Sequence, residues 1–215
     1  MSRVDSKRVL IVRHGETSYV FERRYQGQMD IPLNARGRAQ AQALARYLAQ
    51  ESIQYIFSSD LSRARATAEP VAQRKELPIQ VLKTLRERSF GYWEGMTLEE
   101  ISNRYPEEVV KWRKRPLSFA PGGGEYFFQV RDRAKRAWKQ VCATMSPGET
   151  ALVVTHGGLI RALFSYLFGL KNEFVFRLKP ANAALSIVIV SQGQPQLHLF
   201  NETCYLKELA TSIEN

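Results

Sequence analysis

Two histidines each stand at the end of an apolar run and are each followed by glycine. One is His14 in Leu10-Ile11-Val12-Arg13-His14-Gly15-Glu16, the other His156 in Val153-Val154-Thr155-His156-Gly157-Gly158. Imidazole can serve as a nucleophile or a proton carrier near neutral pH. Arg13 beside the first histidine supplies a permanent positive charge that suits an oxyanion, as does Arg63 in Ser58-Ser59-Asp60-Leu61-Ser62-Arg63-Ala64. Glu87, within Leu85-Arg86-Glu87-Arg88, adds a carboxylate. Two histidines, two arginines and one acid are what metal-free phosphoryl transfer requires. One histidine attacks phosphorus, the cations stabilise the equatorial oxygens, and the acid protonates the leaving group.

These residues can act together only if the fold collects them. Strand-like runs lie at residues 9–12, 55–58, 79–82, 151–155, 185–190 and 197–200, with helical patterns between most of them. That alternation predicts an α/β protein, a three-layer α/β/α sandwich around a mostly parallel sheet. Parallel strands put their carboxyl ends on one edge, where ligands bind in open α/β sheets, so His14 and His156 should meet there. Gly15 would let the chain turn sharply after the first strand. Asn34 should cap a helix with Ala41, Leu44, Ala45 and Leu48 on its apolar face. Ser59 or Asp60 should cap the next, whose first turn holds Arg63 and which Pro70 should bend or end. A helix over 158–168 should stop at Gly169. Residues 1–215 read as one domain, in which the irregular stretch 91–124, with Trp93, Trp112 and three consecutive glycines, should form a lobe that covers the substrate.

The 215 residues are enough to bury a core, and 44% apolar with 24% charged residues is ordinary for a globular chain. No apolar run approaches the roughly 20 residues that span a bilayer, so no membrane association is expected. The run 9–12 is too short for the core of a signal peptide and meets Arg13 at once. Cys142 and Cys204 form no disulfide framework and have no metal-site spacing, so a cytoplasmic location is expected. The net charge of +10 is concentrated in Lys111, Arg113, Lys114 and Arg115, and in Arg131, Arg133, Lys135, Arg136 and Lys139. In the second stretch Phe127, Val130, Ala134, Ala137 and Val141 define a buried helix face, which leaves the cations mostly on a solvated side. A solvated face is preferred to a nucleic-acid site. His198, on a late strand, reads as a surface residue.

Other phosphate chemistries lack their signatures. There is no Gly-x-x-x-x-Gly-Lys-Ser/Thr loop, no arginine six positions after either cysteine, and no Asp-x-Asp or His-x-x-x-His pair. Gly122-Gly123-Gly124 follows no strand and is not a dinucleotide fingerprint.

The motifs resemble the histidine phosphatase (phosphoglycerate mutase-like) superfamily over about residues 8–206. The match runs through Arg13-His14-Gly15-Glu16-Thr17, Gln26-Gly27-Gln28-Met29-Asp30-Ile31-Pro32-Leu33 with Gly37 and Gln40, and Ser58-Ser59 with Arg63-Ala64. It continues through Glu87 with Phe90-Gly91 and Trp93-Glu94-Gly95, Pro121-Gly122-Gly123 with Glu125, His156-Gly157-Gly158 and Asn201-Glu202-Thr203. The resemblance implies that His14 becomes a phosphohistidine. It implies that Arg13, Arg63, His156 and the Gly157 N–H form the phosphate pocket, and that Glu87 donates the proton and later activates water. Gln26 and Gly27 would contact substrate or phosphate, and neither metal nor cofactor is implied. The chain departs from the family at Val20, where an asparagine is usual, and at Tyr126, where a small hydroxyl residue is common.

Phe90-Gly91-Tyr92-Trp93-Glu94-Gly95 is similar to the phosphatase branch, which includes α-ribazole and broad-specificity phosphatases. Arg88-Ser89 lacks the His-Tyr pair of the cofactor-dependent mutases. Hydrolysis of a small phosphomonoester is therefore the expected activity, with a phosphoglycerate mutase as the alternative. A weakly catalytic binding module using the basic face is the alternative of another class. The expected partners are a phosphorylated small molecule and, at most, a second copy of the chain as a homodimer.

Overall fold

The structure, a computed structural model, describes residues 6–207 and Leu209. Its strands are β1 (Ser6–Arg13), β2 (Tyr55–Ser58), β3 (Ile79–Val81), β4 (Thr150–Thr155), β5 (Leu185–Ser191) and β6 (Gln194–Glu202). Its helices are α1 (Ser18–Phe21), α2 (Ala35–Tyr47), α3 (Ser62–Lys75), α4 (Leu98–Arg104), α5 (Pro106–Lys114), α6 (Phe127–Thr144), α7 (Gly157–Phe168) and α8 (Asn172–Val175). The strands form one sheet in the order β3-β2-β4-β1-β5-β6. The first four run parallel, whereas β5 and β6 add an antiparallel edge.

Alternation along β1 explains the sandwich. Val9 and Ile11 face one core with Val130, Ala134 and Ala137 of α6 and Leu159 and Leu163 of α7. Leu10 and Val12 face the other, with Leu44 of α2 and Ala64, Ala68 and Val71 of α3. A strand covered on both faces must be apolar throughout, which is what residues 9–12 are. Register then aligns the strand ends: Arg13 lies opposite Thr155, and Ser58 opposite both Val154 and Val81. The carboxyl ends of β1, β2, β3 and β4 therefore share one edge.

Several local expectations hold. The Asn34 side chain accepts from the Gly37 N–H at 2.8 Å and caps α2. Gly169 ends α7 in the left-handed conformation, φ 58°. Three expectations are corrected. Leu61, with no side-chain cap, precedes α3, because Ser59 and Asp60 are engaged elsewhere. Of the bend or end expected at Pro70, the end is corrected: the helix continues through it to Lys75, since Ala68, Val71 and Ala72 on either side are held in the core. Gly15 needs no positive φ; it is glycine because an added Cβ would sit 2.7 Å from the Gly37 carbonyl oxygen of α2.

Residues 91–124 wrap around a satellite core. Trp93, Ile101 and Val109 are buried there, with Tyr25, Phe90, Met96, Tyr105, Trp112 and Phe119 packed around them. Among the described residues no helix is long and apolar enough to cross a membrane.

Candidate active site

β1 delivers Arg13 and His14 to the shared edge, and the His14 N–H continues the ladder by donating to the Thr155 carbonyl at 2.8 Å. The imidazole, only 2% exposed, has Nδ1 2.7 Å from the Gly15 carbonyl oxygen. A carbonyl can only accept, so Nδ1 carries the proton and Nε2 is left with its lone pair. Nε2 has no partner among the described residues. The loop that carries His14 is held from two sides. The Gly15 N–H donates to Thr67 Oγ1 of α3 at 2.9 Å, and the Asn182 amide donates to the carbonyls of His14 and Gly15 at 3.1 and 3.2 Å.

β4 delivers His156 to the N-terminus of α7, and its ring centroid lies 5.1 Å from that of His14. His156 Nε2 meets Ser59 Oγ at 2.7 Å, while its buried Nδ1 has no partner. Burial and the charges of Arg63 and Arg13 hold both imidazoles well below their ordinary pKa, against a smaller opposing pull of the Gly15 carbonyl on His14. Gly157 occupies the first helical position, where an N–H has no carbonyl within the helix. Its Cα faces Arg13, whose Nε would lie 3.5 Å from an added Cβ.

The two arginines are fixed by backbone carbonyls. Arg13 Nη1 donates to Pro180 at 2.8 Å; Arg63, fully buried, donates through Nη1 to Met29 and Nη2 to Gly27 at 2.7 and 2.8 Å. In both, Nε is buried without a partner. Desolvation pulls both guanidinium groups down, Arg13 to about 10, against the attraction of Glu87. Three buried nitrogens lacking partners, Arg13 Nε, Arg63 Nε and His156 Nδ1, would be an unusual expense for a structural core. Arranged beside a helix N-terminus, they are the donor set that an oxyanion would satisfy.

Glu87 completes the group, lining the same cavity of about 450 Å³ as Arg13, His14 and Arg63. Its Oε1 accepts from the Arg88 N–H at 2.8 Å and its Oε2 from the Gly158 N–H at 3.1 Å. Neither flanking arginine neutralises it. Arg86 pairs with Asp60, and Arg88 donates to the carbonyls of Glu125, Pro116 and Phe119. Of the remaining predicted residues, Gln26 and Gly27 line the cavity. Gln26 Oε1 accepts from Thr17 Oγ1 at 2.9 Å. Gly27 has φ 51°, and a Cβ there would collide with the Glu94 carboxylate. Val20 lies in the cavity wall, whereas Tyr126 is exposed at the start of α6, its N–H donating to Gln129 Oε1.

Two contributors escaped the sequence. Asn182 follows no motif and acts only through its carbonyl partners. Its charge places Arg133 with the solvated basic face, where Arg131, Lys135, Arg136 and Lys139 do lie exposed. Its own side chain turns inward, pairs with Glu125 at 2.7 Å, and donates to the carbonyls of Thr84, Arg86 and Glu87. Helical periodicity could have separated it: it lies three residues after buried Val130 and next to Ala134.

A family model described as histidine phosphatase superfamily (branch 1) matches residues 9–203. The chain belongs to the histidine phosphatase superfamily. Phosphoserine phosphatase 1 of Hydrogenobacter thermophilus is 31% identical over 201 residues, covering 94% of this chain and 95% of that one. Glucosyl-3-phosphoglycerate phosphatase of Mycolicibacterium vanbaalenii is 37% identical over 170 residues, covering 76% and 75%. The solved structure of Bacillus stearothermophilus YhfR matches with a TM-score of 0.88 at 30% identity, covering 94% of this chain and all of that one. The phosphoglycerate mutase-like fold and the hydrolase class expected from sequence thus agree with this histidine phosphatase superfamily membership and with relatives named as phosphatases.

Proposed function

We propose that this protein is a metal-independent phosphatase that hydrolyses a small phosphomonoester through a phosphohistidine at His14. One observation carries the reading. The Nδ1 contact with the Gly15 carbonyl leaves Nε2 as the free nucleophilic nitrogen, amid buried cations and in a cavity shared with Glu87. In the first step Nε2 attacks phosphorus, forming a P–N bond as the P–O bond to the leaving group breaks, and Glu87 gives that oxygen its proton. In the second step Glu87 takes a proton from water, the water oxygen attacks phosphorus, and the P–N bond breaks to release phosphate. Arg13, Arg63, His156 Nδ1 and the Gly157 N–H stabilise the equatorial oxygens in both steps. The Ser59 hydroxyl lies 2.7 Å from His156 Nε2 and can donate to it; in this role it does so, and the proton stays on Nδ1, where an oxygen can accept it.

The test is turnover of p-nitrophenyl phosphate in EDTA, with rapid quenching to trap a phosphoryl group that is stable to alkali and labile to acid. Trapped label on the wild type and none on His14→Ala is the expected result. Loss of activity in EDTA, or full activity without His14, would defeat the proposal. Supplying 3-phosphoglycerate with trace 2,3-bisphosphoglycerate addresses the mutase alternative. Phosphate release should outrun isomerisation.

A further inference from the structure

Arg23 and Arg24 are neighbours in sequence and opposites in use. Arg24 donates through Nε to Glu22 at 2.9 Å, and through Nη1 to Glu100 and the Gly95 carbonyl, both at 2.8 Å. Backbone bonds tie the same loop to the satellite lobe: Gly95 N–H to the Tyr25 carbonyl at 2.8 Å, and Tyr25 N–H to the Met96 carbonyl at 2.9 Å. The Arg23 side chain, by contrast, has no hydrogen bond, ion pair or ring contact among the described residues; only its backbone N–H is engaged, donating to the Val20 carbonyl at 3.2 Å. Arg23 is exposed, and it lines the same cavity as His14, Arg63 and Glu87.

Its backbone sharpens the point. Arg23 follows α1 at φ 57°, the left-handed position where helices usually place glycine and where a Cβ is disfavoured. A long cation therefore stands on a firmly tied base, in a conformation that glycine would adopt more easily. Its charge is not needed by the transferred phosphoryl group, which faces the buried Arg13 and Arg63. Tyr19, Val20, Tyr25, Phe90 and Leu98 contribute a largely apolar stretch of wall to the same cavity. A substrate with a carbon skeleton against that wall would present any second anionic group to the rim.

We infer that Arg23 is a specificity-determining residue that binds a second anionic group of the phosphomonoester, either a carboxylate or a second phosphoryl group. The inference rests on the phosphatase reading of the site and gives its substrate class. Two variants test it. R23G removes the charge and relaxes the backbone, so it should fold; R23K keeps the charge and loses the planar fork. Each is compared with wild type on 3-phosphoglycerate, fructose 1,6-bisphosphate and phenyl phosphate, the last having no second anion. R23G should lower the ratio of kcat/KM for the doubly anionic esters over phenyl phosphate about 10-fold, mainly through KM, with partial recovery in R23K. Raising the salt should shrink the wild-type ratio and leave that of R23G nearly flat. The anionic ester whose ratio falls identifies carboxylate or phosphoryl as the group bound. An equal ratio in wild type and R23G for both esters overturns the inference. Calorimetric titration of the same compounds into His14→Ala, with and without R23G, separates binding from turnover. A changed ratio of Kd without wild-type hydrolysis upholds Arg23 and defeats the phosphatase reading; an unchanged ratio defeats the role of Arg23 whatever the turnover.

Discussion

The floor of the cavity and its mouth are built by different means. His14 and Arg63 on the floor, and His156 beside His14, are at most 2% exposed and are set by the ends of β1 and β4 and the first turn of α3, inside the main core. The mouth is shaped by α1 and the loop after it, with Leu98 contributed by residues 91–124, the stretch whose satellite core buries Trp93, Ile101 and Val109. The floor is set by elements of the main core, whereas the mouth adjoins a unit with few buried apolar contacts of its own. Local stability follows such contacts, so the mouth should open at lower free energy than the floor.

Substitutions can break that contrast. The largest effect belongs to the floor: His14→Ala should reduce turnover of any phosphomonoester by on the order of 10⁴-fold or more. Its melting temperature should stay near that of wild type, because the residue serves chemistry rather than packing. Calorimetry and steady-state rates on the same preparation check both halves. Trp93→Ala is the counterpart for the mouth and should destabilise the satellite core by ~3–5 kcal/mol. Hydrogen exchange should then show residues 91–124 opening while the amides of β1 and β4 stay protected. Equal deprotection of both regions would show that the two are one cooperative unit.

The third effect tests the floor through pH. Both imidazoles titrate well below 6.5 when folded and near 6.5 when unfolded, so the unfolded chain binds more protons as pH falls. Stability should be fully present above about pH 6.5 and decline below it, by up to ~2 kcal/mol per histidine at pH 5. Denaturant midpoints across pH 5–8 measure the slope, and His156→Asn should flatten it.

The smallest effect lies at the junction. Arg133→Lys keeps the charge beside Glu125 but gives up the fork that holds the carbonyls of Arg86 and Glu87. We expect kcat for an alkyl phosphate to fall about 10-fold. p-Nitrophenyl phosphate, whose leaving group needs little protonation, should be slowed much less. Equal slowing of both would show that Arg133 supports the fold rather than Glu87 as the acid.

Much of this was legible from residues alone. Apolar runs ending in His-Gly mark strands that finish at a functional edge, because a strand buried on both faces has nowhere else to place a polar group. Asn34 and Gly169 were readable as helix ends because capping depends on neighbours a few residues away. The cap of α3 was misread for a complementary reason: Ser59 and Asp60 have the right chemistry, but partners far along the chain, His156 and Arg86, engage them. Arg133 was misread because composition counts charges without their direction.

The sequence by itself determined the chemical set: two histidines, two arginines and a carboxylate, three of them at or just beyond strand ends that a parallel sheet must align. Tertiary structure decided which nitrogen of His14 is free, which arginines are committed, and which are left over. Those outcomes depend on contacts such as Asn182 with Gly15 and Arg24 with Glu100, between residues 167 and 76 positions apart. Local propensity has no access to such distances. The same ordering separates Arg23 from Arg24, two identical side chains that only the folded chain tells apart.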